Sequence, residues 1–161
     1  MRRLNMGERI ELSGNSLVVH VDSGSKALNM LLLSTDSENR IGDDRYSILE
    51  SNPSSPDDSL KLTMTPLSYR YDIRFDQLPR SINALLIVAY SDAEIRKHLP
   101  LAITINQNEA SFNAGPHIGQ ESAIVLAKIY RHQTQWRFNA VAQGYAQGID
   151  KLIQSLGGTA A

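Results

Sequence analysis

Between Ser68 and Phe75 the chain alternates, with Tyr69, Tyr71, Ile73 and Phe75 set against Ser68, Arg70, Asp72 and Arg74. Period two is the spacing of a pleated strand with one buried and one wet face. Leu60, Leu62 and Met64 alternate with Lys61 and Thr63 in the same way, and Leu17, Val19 and Val21 with Val18 and His20. Met30 to Leu33 and Ala84 to Tyr90 are instead continuously apolar and too short for helices, as expected of strands covered on both faces. Further strands are predicted at Ile10 to Leu12, Tyr46 to Glu50, Leu101 to Ile105, Ala123 to Arg131 and Trp136 to Ala142.

Turn chemistry separates these runs, at Asp22-Ser23-Gly24-Ser25, Ile41-Gly42-Asp43-Asp44, Asn52 to Asp58 and Asn113-Ala114-Gly115-Pro116. Near the C-terminus Tyr145, Ile149, Leu152, Ile153 and Leu156 fall at helical spacings, and Gly157-Gly158 supplies a left-handed stop. A second short helix or turn is expected across Ser91 to Lys97, where Ser91 or Asp92 can cap backbone N–H groups. The fold class is therefore mainly β: a two-sheet β-sandwich with a C-terminal α-helix and short additional helical turns. There is no internal repeat.

Length and composition narrow the picture. A chain of 161 residues is predicted to be one domain, residues 1–161, with its core from about 8 to 157. Hydrophobic residues at 42% and charged ones at 20% place it among globular proteins, not disordered ones. The 16 basic and 17 acidic residues nearly cancel and form no long like-charged block, which disfavours nucleic-acid binding. Arg2 and Arg3 are not followed by an apolar run, so neither a secretory leader nor a spanning helix is expected. The absence of cysteine rules out a disulfide framework and fits the cytoplasm.

The stretch from Tyr130 to Gly157 is the most distinctive. Trp136 and Phe138 share one face of a strand, opposite a strand joined through His132-Gln133-Thr134-Gln135. Large rings on such a face add about 0.5 to 1.5 kcal/mol beyond their area burial, while Gly144 and Gly148 are expected to let the backbone leave the sheet. Tyr130-Arg131-His132, Trp136-Arg137-Phe138, Gln143-Gly144-Tyr145 and the run to Gly157 follow in the order and spacing of the C-terminal signature of the TerD family, which this chain resembles. A weaker resemblance runs back through Leu78-Pro79, Ile82 and Ala84 to Asp92.

The resemblance implies a cytoplasmic β-sandwich associated with tellurite and general stress resistance, phage resistance and membrane-linked assemblies. It also implies calcium held by an Asp-x-Asp-Leu-Asp segment and by a later acidic, glycine-rich loop. Here Lys26-Ala27-Leu28-Asn29-Met30-Leu31 stands at the first position, and Thr65-Pro66-Leu67-Ser68 at the second. Calcium takes roughly six to eight oxygens and gains affinity from converging carboxylates. The remaining metal candidates are Asn29, Asn52, Asp57 and Asp58, with Asp43 and Asp44 beside them, and read as turn residues they leave a degenerate site. Any calcium binding is expected to be weak, and no other cofactor is expected.

Catalytic chemistry finds little support. His20, His98, His117 and His132 are scattered, with no His-Glu-x-x-His, no Gly-x-Ser-x-Gly and no cysteine nucleophile. The expected function is a non-enzymatic interaction or scaffold module of a tellurite- and stress-resistance system. Two alternatives stand beside it: a calcium-binding TerD-type stress protein, and a small-ligand binder or enzyme using the Gly115 to Gly119 loop with His117 and His132. Expected partners are other proteins of a resistance assembly, including at the inner face of the membrane, with no nucleic acid; a homo-oligomer is compatible with the sequence. Arg70, Asp72 and Arg74 form a polar row read as a solvated face or a partner surface.

Overall fold

The computed structural model describes residues 2–25, 28–106, 109–145 and 147–158. In chain order the strands are β1 (Arg2–Arg3), β2 (Arg9–Leu12), β3 (Ser16–Ser23), β4 (Asn29–Thr35), β5 (Leu60–Thr65), β6 (Ser68–Arg74), β7 (Ala84–Tyr90), β8 (Leu101–Ile105), β9 (Ala110–Asn113), β10 (Ala123–His132) and β11 (Gln135–Tyr145), followed by helix α1 (Ile149–Ser155). One sheet has the order β1-β9-β8-β3-β6-β5 and the other β2-β11-β10-β7-β4. Every neighbouring pair is antiparallel except β1 with β9.

The alternating residues do what their period requires. Leu17, Val19, Val21, Tyr69, Tyr71 and Ile73 face the other sheet and join one core cluster with Leu85, Ile87, Leu126, Ile129 and Phe138. His20 and Arg70 pair across β3 and β6 on the outer, wet face.

The continuous apolar runs have the other explanation expected of them. Met30, Leu32, Leu85 and Ile87 fill the space between the sheets, while Leu31, Leu33, Leu86 and Val88 face outward under Leu152 of α1. In β10 the register against β7 slips between Val125 and Ala127, so Leu126 is an extra residue. This bulge puts Leu126 and Ala127 together on the core side.

At the β10–β11 hairpin, His132 pairs with Gln135 and Gln133 carries the positive φ of 58° that so short a turn needs. The partner of Trp136 is Phe75, which opens a 3-10 turn just after β6 of the other sheet instead of ending that strand as expected, and stacks on the indole at 4.6 Å between centroids and 15° between planes. Arg131 covers the indole at 4.5 Å while donating to the carbonyls of Ile82 (2.8 Å) and Pro79 (3.3 Å). A guanidinium held this way satisfies backbone acceptors and a ring face together. The ring pairing thus closes the core across the sandwich, not along one strand.

Three expectations are corrected. Tyr46 to Glu50 is not a strand: a 3-10 turn occupies Asp44–Tyr46, after which Ile48 makes a single bridge to Leu32 and Leu49 one to Asn52. Tyr145 belongs to β11, paired with Ala123, and the helix begins only after Gly148, which sits at its start with a φ of 88°. Gly144 stays inside β11; a Cβ there would run into the Glu121 side chain, so its smallness admits that loop. The short helix or turn expected across Ser91 to Lys97 is a 3-10 turn at Ile95–His98, and Ser91 Oγ accepts from the Ala93 N–H at 3.2 Å. Strands β1 and β9 have no periodic signal long enough to be seen beforehand.

Candidate functional site

At one side of the sandwich the two sheet edges, β4 and β5, leave a cleft of about 280 Å³. Asn29 and Met30 of β4, Leu62 and Met64 of β5, Tyr69 of β6 and Tyr90 of β7 line it, together with Leu49, Glu50 and Ser51 from the intervening segment. Inward alternation delivers Leu62, Met64 and Tyr69, and the end of the buried run delivers Tyr90.

The Tyr69 hydroxyl donates to the Leu28 carbonyl at 2.5 Å. Burial raises the Tyr69 phenol above its ordinary value, and the Glu50 carboxylate raises it further. Burial raises Tyr90 as well, with Asp92 adding to it. Behind these two, Tyr71 is fully buried and its hydroxyl has no hydrogen-bond partner among the described residues. Among the described residues the cleft therefore presents two aromatic faces, two thioethers and one rim carboxylate, with no lysine or arginine in its lining.

The metal candidates are distributed differently. Asn29 lines the cleft, whereas Asp57 and Asp58 line a separate shallow hollow with Lys61, Asp72, Arg74 and Gln77. Asn52 spends its amide N–H groups on the carbonyls of Ser47 (2.8 Å) and Arg45 (3.3 Å).

Asp57 is a hub of the β4–β5 connection. It accepts from Tyr46 Oη (2.8 Å), Ser55 Oγ (2.9 Å), Ser59 N (3.0 Å) and Ser59 Oγ (2.6 Å). Partial burial would raise its pKa, but the bonds from Ser59, Tyr46 and Ser55 outweigh that and hold it at about 2. Burial and the same bond push Tyr46 up to about 12. Asp43 pairs with Arg45 at 2.7 Å, and Asp44 opens the following 3-10 turn. Among the described residues no three His, Cys, Asp or Glu side chains are grouped as a metal site. Lys26 and Ala27 lie outside the described residues.

The histidines do not meet. His117 stacks on Phe112 at 5.7 Å in the turn Gly115–His117, which precedes the start of β10, while His132 is at the far end of that strand. Ten residues at ~3.3 Å each separate those two ends. His98 is buried against Ser91, Nε2 to Oγ 2.8 Å, and its Nδ1 has no partner among the described residues. Arg70 and Asp72 form an exposed ion pair at 2.9 Å. Glu50, Met64, Tyr69 and Tyr90 were not singled out by sequence; only their inward strand positions hinted at them, since no local pattern joins residues of four different elements.

The model of the TerD domain matches residues 4–156. The chain belongs to the TerD domain family. Among curated proteins it is 28% identical over 96 residues to a tellurium resistance protein TerD of Serratia marcescens, covering 53% of this chain and 50% of that one. It is 36% identical over 52 residues to chemical-damaging agent resistance protein B of Clostridium acetobutylicum, covering 32% and 37%. The chain thus spans about half the length, or less, of these curated relatives.

A crystal structure of a homologue of telluride resistance protein TerD from Streptomyces coelicolor A3(2) superposes with a TM-score of 0.70 at 12% identity, over 91% of this chain and 99% of that one. The likeness establishes a TerD-type sandwich. Among the described residues no helix is long and apolar enough to cross a membrane.

Proposed function

We infer that this TerD-domain chain is a non-enzymatic interaction or scaffold module of a tellurium- and chemical-resistance system, working in the cytoplasm with a degenerate calcium site. The observation that carries the reading is the use of the remaining acids. Asp57 is saturated by Tyr46, Ser55 and Ser59, and Asp43 is paired with Arg45, so their oxygens already hold protein donors. The names of the relatives support the resistance role, and the wide separation of His117 and His132 supports a binding function over a catalytic one.

Calcium titration by calorimetry and by melting tests this. No heat and no shift at millimolar calcium is the expected result. A micromolar dissociation constant overturns it, because calcium at 100 times that constant adds about 2.7 kcal/mol and raises Tm by roughly 5 to 11 °C. The second reading, a calcium-binding TerD-type stress protein, draws on Asn29 and Glu50 lining one cleft, and the same titration decides between them.

A further inference from the structure

The edge of β5 is covered over only part of its length. Leu62 donates its N–H to the Pro53 carbonyl and Ser55 donates to Leu60, so residues 53–55 run beside the first half of the strand. Asn52 then exchanges two hydrogen bonds with Leu49, which carries the chain away from β5. Residues two apart on an antiparallel strand turn their backbone groups the same way. Met64, in register with Leu60 and Leu62, therefore aims its N–H and C=O away from β6, and no partner meets them among the described residues. An open edge of this kind is a template for another strand.

This open pair borders the cleft. The Met64 side chain, 38% exposed, forms part of the cleft wall. Glu50 and Asp92 are exposed, and neither has an ion-pair or hydrogen-bond partner among the described residues; their charges bear on the Tyr69 and Tyr90 phenols respectively. Among the described residues no basic side chain lines the cleft.

Resting on the reading of this chain as an interaction module, we propose that an extended segment of a partner protein adds to β5 at Met64 and sends a basic side chain into the cleft. Residues directly opposite each other in a strand pair project from the same face. The partner residue that exchanges hydrogen bonds with Met64 is thereby pointed where Met64 points. Its aliphatic stem lies along Met30, Leu62 and Met64, and its charged head meets the two tyrosine rings and Glu50. The backbone supplies attachment and the cleft supplies selection of the basic residue.

The test uses a blocked, fluorescent heptapeptide, Thr-Val-Thr-Arg-Thr-Val-Thr, titrated onto the whole chain by anisotropy and by amide NMR. Binding is expected to move the Met64, Asn29 and Tyr90 signals. Replacing the peptide arginine by norleucine, N-methylating the arginine amide, or making Glu50→Gln in the protein should each weaken binding about tenfold. Equal affinity of the norleucine or N-methylated peptide overturns the proposal. So does butylguanidinium binding as tightly as the peptide, since a free cation then suffices.

A companion assay measures tellurite survival of host cells carrying Ser51→Trp, which fills the cleft. If the peptide does not bind but that variant loses protection, this occupant is wrong and the module reading stands. If the peptide does not bind and protection is unchanged, both fall.

Discussion

Asp57 is the side chain whose removal is most informative. Four donors converge on it, two of them from Ser59, which is fully buried, and one from the nearly buried Ser55. A hydrogen bond to a charged acceptor contributes about 1.5 to 3 kcal/mol, and a buried donor left unmatched costs a similar amount. The four are not additive, since water reaches the exposed face of Asp57, and Ser55 and Ser59 retain each other at 3.2 Å.

Asp57→Ala is therefore expected to cost about 3 kcal/mol, a fall in Tm of roughly 6 to 12 °C for a chain of this size. Asp57→Asn, which keeps one acceptor and loses the charge, should cost about 1 kcal/mol. Thermal melts in excess chelator isolate this role from any bound cation. An unchanged Tm for Asp57→Ala would refute the hub.

The pH dependence provides an independent arm. Asp57 titrates near 3.8 when unfolded and at about 2 in the fold, so its stabilisation is complete above roughly pH 4 and disappears as pH falls toward 2. Solvent screening of this exposed carboxylate reduces the effect to about 1 kcal/mol. Urea melts between pH 5 and pH 2 should show that loss in the wild type and not in Asp57→Asn. Tyr46, raised from 10.0 to about 12, contributes in the opposite sense: its stabilisation is present below pH 10 and lost as pH rises through 12.

Three further outcomes follow from packing. Gly24→Ala would drive a Cβ into the Leu99 carbonyl and against Pro100, and should cost about 3 kcal/mol by chemical denaturation; a neutral variant would show that the segments after β3 and before β8 are free to separate. Leu152→Ala, at the fully buried position on the sheet-facing side of α1, should cost about 2 to 3 kcal/mol and speed amide exchange in Ile149–Ser155, and unchanged exchange would contradict the role given to the helix. Tyr71→Phe removes a buried hydroxyl that has no partner among the described residues, so stability should stay level or rise by about 1 kcal/mol; a clear loss would reveal a hydrogen bond.

The period of the hydrophobic pattern determined, by itself, most of the sandwich. Side chains alternate on a pleat whatever the neighbours are, so Ser68 to Phe75 and Leu17 to Val21 declared both strand and face. The unbroken runs at Met30 to Leu33 and Ala84 to Tyr90 declared double coverage. The spacing from Tyr130 to Gly157 likewise carried the family, because a local succession of rings and glycines is written in consecutive residues.

Tertiary structure decided what local pattern does not encode. Tyr145 reads as helical by spacing, yet pairing with Ala123 keeps it in β11. Tyr46 to Glu50 is apolar enough for a strand, but β4 accepts only one bridge from that segment, Leu32 to Ile48. Asp57 became a structural acceptor through Tyr46 and Ser59, and the cleft was assembled from residues whose sequence separations give no signal. Its open edge at Met64 exists because Asn52 turns back to Leu49, a contact between neighbours that determines which backbone groups of a distant strand stay unpaired.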